Sequence, residues 1–347
     1  MTILSMLALL CVYGFIVLYG VKYDEEKCEF FSANDSKMLK GLFCIIVVLV
    51  HVPQAYQNSI QDLIGSFAYI GVTFFFMTSA YGLRWGVEHK SGYLKGFWKK
   101  RLPSLLIPAI LCNLLFFVSN YFLGESNSLI SVIDINSWVK VLLLFYFVFW
   151  LVYFIGEKLQ LHNNKIGLDL IISIIVVVLS IIGMFSPFKI TILWPVESIG
   201  FAYGILLADY ADNLVLYAKK KWVHKFFVLF AISLILGLSY IKFKNVPIFG
   251  DYLLRIVLGM ILLILILHIT TSFRFGNKAF GYLGRISYSV YLIHDYVFSY
   301  FEKMRLISNS GVYICVCVMM TLFLASGVNY VSNRIMQRIK NERMKQQ

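Results

Sequence analysis

Charge is what this chain has least of: 14% of its 347 residues are Asp, Glu, Lys or Arg, and only 18 are acidic. With 60% hydrophobic residues and a mean hydropathy of +0.78, that scarcity excludes a soluble globular protein. Cysteine is sparse as well. Five of the six lie in apolar runs and Cys28 in a basic loop, which implies neither a disulfide framework nor a metal site. Cys315 and Cys317 project about 200° apart on a helix and read as packing residues. Polar sequence sufficient for a soluble domain is missing, and no internal repeat is visible.

What is present is a series of apolar runs near 2–20, 38–55, 64–86, 103–124, 137–156, 166–187, 190–208, 224–241, 249–271, 286–301 and 310–333. Each is long enough to cross about 30 Å of hydrocarbon, which predicts an all-α, polytopic transmembrane bundle of about eleven helices. The run 286–301 is the shortest and most polar, and 190–208 contains Pro195 and Glu197. The first run has no Lys or Arg before it and no small-residue cleavage site after it, so it reads as a helix and not a leader.

The formal charge of +13 is distributed by side. Alternating the loops from an outward N-terminus places about 24 of the 31 Lys and Arg on one face, including the tail from Arg334 to Lys345. Loops 56–63 and 124–136 on the other face contain none. Positive-inside topology thus accounts for the basic excess without a nucleic-acid partner, and puts the C-terminus in the cytosol.

Within this apolar background, Lys40 and His51 bracket ten mostly apolar residues. Eleven helical steps return His51 to the face of Lys40, about 16 Å deeper. His51 is therefore expected near mid-membrane, where an ionisable group reads as functional. A second cluster, Lys99, Lys100 and Arg101, opens a helix on the basic face. Free backbone N–H groups and the positive dipole end there suit a phosphate-bearing ligand, although the same charges also serve as an ordinary positive-inside anchor. Ser287, Tyr291 and His294 recur at spacings of four and three on one helical face, as inter-helix hydrogen-bonding groups or a cavity lining. Glu197 is a carboxylate in an apolar setting, placed to orient His51, to bind a sugar hydroxyl, or to meet an aqueous interface. Asp295 has similar standing, with a spacing that points it away from the His294 face. His89, His162 and His224 read as solvated surface, and His268 as a helix-packing group.

In order along the chain, Lys40-x10-His51, Gly71-Val-Thr-Phe-Phe-Phe-Met-Thr-Ser-Ala-Tyr-Gly82, Lys-Lys-Arg101-Leu-Pro-Ser-Leu-Leu-Ile-Pro108 and Ile286-Ser-Tyr-Ser-Val-Tyr-Leu-Ile-His294 resemble the acyltransferase-3 family of integral membrane acyltransferases. The resemblance covers roughly 36–335. It implies a ten-helix core, with 1–35 as an additional N-terminal helix and loop and 336–347 as a basic tail. It also implies transfer of an acyl group, commonly acetyl from acetyl-CoA, to a hydroxyl of a cell-surface glycan or its lipid-linked precursor. Lys40 and His51 fill the places of the family's basic residue and essential His. Arg101 matches the first Arg of its Arg-x-x-Arg pair, whereas Ser104 stands at the second, with Lys99 and Lys100 alongside to supply charge.

The expected site therefore has His51 and Glu197 as catalytic groups, Lys40, Lys100 and Arg101 on the donor phosphates, and Ser287, Tyr291 and His294 in the cavity wall. No metal is expected to be required. Expected partners are an acyl-CoA, a glycan or lipid-linked saccharide and membrane lipid, in a bacterial plasma membrane. A rival reading is a transporter or flippase for a lipid-linked glycan. Such proteins often carry repeat halves with broken helices, and the Lys-x10-His spacing has no role in them. A sensor or scaffold without catalysis would leave the polar residues unexplained.

Overall fold

The computed structural model describes residues 3–27, 31–57, 59–122, 124, 128–161, 164–186 and 191–345; Cys28 and His162 lie outside them. Helices α1 (Ile3–Leu18), α2 (Ala33–Val50), α3 (Ser59–Gly65), α4 (Tyr69–His89), α5 (Phe97–Phe122), α6 (Ser137–Lys158) and α7 (Lys165–Phe185) make the first part of the bundle. They are followed by α8 (Ile199–Asp209), α9 (Ala211–Lys219), α10 (Trp222–Phe243), α11 (Arg255–Thr270), α12 (Lys278–Met304) and α13 (Ser310–Lys345). The protein is an all-α polytopic bundle, as its hydropathy requires. Its one sheet among the described residues is a ribbon that the sequence did not suggest, β1 (Val21–Tyr23) antiparallel to β2 (Phe273–Phe275).

By length and composition, seven helices are able to cross a membrane among the described residues, or eight if α8 and α9, bent by 78°, make one span. Helix α1 is short at 16 residues, and α2 and α12 are diluted by charge, with Asp35, Lys37 and Lys40 on one and Arg285, Asp295 and Glu302 on the other. The span that includes α4 is the most buried and α10 the least. Phe74, Phe76, Met77 and Leu83 of α4 are fully enclosed, while Phe227, Leu234, Ile235 and Leu238 of α10 are exposed. In a membrane that outward apolar surface faces lipid, so it costs nothing in hydration.

The segments assigned to the basic face do meet one another. The β1–β2 ribbon joins the chain after α1 to the chain before α12. Lys219 Nζ donates to the Glu25 carbonyl at 2.8 Å, Lys165 bridges to Glu88 at 3.0 Å, and Arg343 donates to the Lys99 carbonyl at 2.8 Å.

Helix α2 does not run where hydropathy alone puts it. Ser32 accepts from the Asp35 N–H and the Asp35 carboxylate accepts from the Ser32 N–H, a capping box that starts the helix at residue 33. Pro53 has no N–H to continue the ladder and restrains the residue before it, and the helix stops at Val50. His51 is thus the C-cap and is exposed, a correction to its expected place inside the helix. Similarly, the run 190–208 is α-helical only from Ile199, after a short 3-10 turn at Thr191–Leu193, and Glu197 sits in the turn before α8.

Glycines bring α2 and α12 together at the basic end. A Cβ on Gly284 would fall inside the Lys37 carbonyl, and one on Gly41 inside the Phe280 carbonyl. Close backbone approach through small residues is a common way for membrane helices to pack. Because both helices are rigid rods, this contact also sets how their distal parts, with His51 and His294, face each other. Gly284→Ala is expected to push the pair apart at a cost of about 1–3 kcal/mol. The thermal midpoint of the purified protein should fall and its activity with it; an unchanged midpoint would show that the contact gives way freely.

Candidate active site

A cavity of 1610 Å³ opens among the ends of α2, α4, α5, α7 and α8 on the basic face. It exceeds the roughly 300–1,000 Å³ usual for drug-sized ligands and suits a long, polar one. Six cations line it, Lys27, Lys40, Arg84, Arg101, Lys165 and Arg274, against the carboxylates of Asp35, Glu88, Asp209 and Asp212.

Most of these cations are already engaged. Lys27 is buried against Asp35 at 2.8 Å, Lys165 meets Glu88, and Arg274 pairs with Asp24. Arg84 binds Asp169 at 2.6 Å, Glu88 at 2.7 Å and Asp209 at 2.7 Å. Lys40 and Arg101 differ: among the described residues neither has a carboxylate within ion-pair distance, and Lys40 lies near enough to Arg101 to feel its charge. Arg101 is instead braced from behind by aromatic groups. Its Nη2 donates to the Tyr93 hydroxyl at 2.5 Å, and its guanidinium lies 5.7 Å from the centre of the Tyr146 ring. Two neighbouring cations facing a cavity without a counter-ion make an anion site, and the first turns of α2 and α7 at the same wall add their dipoles.

Lys100, expected beside them, is exposed and does not line the cavity. Ser104 turns its hydroxyl back to the Arg101 carbonyl at 2.8 Å.

Along α2 from Lys40, about 16 Å away, stands the second centre. The His51 and His294 rings meet edge to face with centroids 4.6 Å apart. His51 Nδ1 lies 2.7 Å from the Val47 carbonyl and His294 Nδ1 2.7 Å from the Tyr291 carbonyl. A carbonyl oxygen only accepts, so each Nδ1 carries a proton, and in the neutral ring each Nε2 keeps its lone pair. Helix α12 continues to Met304, ten residues or about 15 Å beyond His294, so this centre lies short of the far edge of the bundle.

The remaining expectations divide. Tyr291 packs between Trp138, at 5.0 Å, and His294, at 5.7 Å, whereas Ser287 bonds its own helix at the Gly284 carbonyl. Glu197 is buried and ion-paired with Arg255 at 2.9 Å, and the side chain against His51 is His294. Asp295, expected to point elsewhere, brings Oδ1 to 3.6 Å from His294 Nε2; neighbouring residues on a helix are only about 100° apart, and a carboxylate spans that turn. His268 stacks on Trp222 at 4.9 Å, in the packing role its position suggests.

Sequence reasoning passed over the Arg84 network, which ties α4, α7 and α8 and, through the Tyr153 hydroxyl on Asp169 at 2.7 Å, α6. Its signal was present in Asp169, a carboxylate inside an apolar run.

A family model described as an acyltransferase domain, of the acyltransferase-3 type, matches residues 35–327. No curated protein and no solved structure gives a match.

Proposed function

As a member of the acyltransferase-3 family of integral membrane acyltransferases, to which it belongs, this chain transfers an acyl group, and we propose that it moves acetyl from acetyl-CoA to a hydroxyl of a cell-surface glycan or its lipid-linked precursor. The observation that carries this reading is the pairing of Lys40 and Arg101 at a 1610 Å³ cavity with His51 at the C-cap of the helix that carries Lys40. Coenzyme A is a polyphosphate on a long arm, and it needs cations at one depth and a reactive group at another. In this reading Lys40 and Arg101 hold the phosphates from the cytosolic side of a bacterial plasma membrane, with the N-terminus outside, and the arm extends along α2 toward His51.

For the transfer itself, the acceptor hydroxyl attacks the thioester carbonyl while His51 Nε2 takes its proton. The carbon–sulfur bond then breaks, and the departing thiolate receives that proton from the imidazolium. A base of this kind is suited to neutral pH. The Val47 carbonyl fixes the ring and its tautomer, leaving Nε2 as the basic atom. His294 supports the ring from the side.

The test is transfer of label from radioactive acetyl-CoA to envelope glycan in membranes containing the protein. Arg101→Ala is expected to raise the apparent KM for the donor about tenfold or more, as loss of a charge-assisted contact worth about 1.5–3 kcal/mol implies. The maximal rate should change little. Ser104→Arg should lower KM or leave it unchanged. An unaltered KM in Arg101→Ala would remove that residue from the donor site, and no labelling with any short acyl-CoA would overturn the donor itself and favour a transporter.

A further inference from the structure

We propose that His51, His294 and Asp295 form a binding site for a divalent transition-metal cation of the zinc class. The three ligand atoms, one from each residue, lie within 4.8 Å of one another. Both imidazoles bond the Val47 and Tyr291 carbonyls through Nδ1, which leaves each Nε2 as the nitrogen open to a ligand beside the Asp295 carboxylate. Two lone pairs have no hydrogen bond to give each other. His294 Nε2 is buried without a hydrogen-bond partner, in a side chain only 2% exposed, and at 3.6 Å the Asp295 carboxylate is too far to supply one. A divalent cation would satisfy all three groups together.

The surroundings match what a metal demands. Metal-bound histidines present one nitrogen to the ion and anchor the other N–H on a carbonyl or carboxylate, the arrangement both rings already have. Two imidazoles and a carboxylate suit zinc with a fourth, open position. Zinc–nitrogen bonds of about 2.0–2.1 Å set tetrahedral ligand atoms about 3.3 Å apart, so the widest pair must close by about 1.5 Å. His294 is fixed in the packed bundle, but His51 is exposed where its helix ends and the Asp295 side chain is 65% exposed. Those two supply the movement.

The same Nε2 of His51 is the base in the proposed transfer, so on that reading the bound metal blocks the reaction instead of assisting it. Zinc would act as an inhibitor at a site distinct from the donor cations.

Full-length, tag-free protein in detergent, stripped with chelator and dialysed against Zn2+, is expected to retain one ion per chain. Asp295→Asn should weaken retention about tenfold or more, and His294→Ala should abolish it. Where His294→Ala fails to fold, the exposed Asp295→Asn carries the test. Co2+ should give an absorption spectrum free of thiolate charge transfer, which separates this site from the exposed Cys11 and Cys315. No uptake, uptake unchanged in both variants, or a thiolate band would overturn the proposal. Binding is read without any acyl donor, so it stands or falls apart from the function. Where transfer is detectable, Zn2+ should inhibit wild type at concentrations that spare Asp295→Asn, and equal inhibition of both would also overturn the site.

Discussion

His51→Ala is expected to lower acyl transfer by about 10²–10⁴-fold, the range usually lost with a general base, while leaving the apparent KM for acetyl-CoA near that of wild type. The two halves of this expectation have separate origins. The proposed donor cations Lys40 and Arg101 line the cavity, from which His51 is absent, and about 16 Å of helix separates Lys40 from it. The rate should collapse because neither of the two buried candidates can take its place: His294 Nε2 is buried against the His51 ring, and Glu197 is occupied by Arg255. His51→Gln should fail as badly, since an amide matches the size of the ring and has no basic nitrogen. His51 caps an exposed helix end, so the stability of the variant should be close to wild type, and equal protein levels in the membranes make the comparison direct. A variant that turns over near the wild-type rate would discard the mechanism while leaving the family intact. Wild-type protein given donor without acceptor should remain unlabelled in the direct route. Label recovered on His51 would make it a nucleophile carrying the acetyl group instead of a base.

The parts of this site that were legible in the sequence are those where an ionisable residue interrupts an apolar run. Lys40 and His51 stand out on that criterion, and the all-α polytopic class follows from hydropathy in the same way, although seven or eight helices, not about eleven, are long and apolar enough to cross among the described residues. Helix ends are less visible. The start of α2 depends on a capping box at Ser32 and Asp35, ahead of the apolar run, and its end on Pro53, so the apolar run carries His51 into a helix that has already ended. Pairing across helices was the least visible of all. Nothing local to Glu197 indicates Arg255, 58 positions away, and nothing local to His51 indicates His294. Arg84 was hidden for another reason, because it borders a basic loop and its charge is explained by topology until Asp169 and Asp209 are seen against it.

The largest expected loss of stability comes from that residue. Arg84→Met should destabilise the fold by about 3–5 kcal/mol, because removing one member of a buried ionic cluster leaves the others charged and unpaired. The side chains of Asp169 and Asp209 are 0% and 2% exposed, so neither carboxylate has water to fall back on. Glu88, at 45%, does, and its loss of Arg84 matters little because Lys165 remains. Arg84→Lys should rescue only part of the loss, since an ammonium lacks the planar fork that reaches Asp169, Glu88 and Asp209 at 2.6–2.7 Å together. The informative variant is the triple change Arg84→Met, Asp169→Asn, Asp209→Asn. If the single variant fails through uncompensated charge, neutralising both carboxylates should recover much of the thermal midpoint even though the ionic contacts are gone. If it fails because the cluster itself contributes the binding between α4, α7 and α8, the triple variant should be at least as unstable as the single one. An Arg84→Met protein that melts with wild type would mean that the buried carboxylates take up protons at little cost, and the network would then be incidental to the fold.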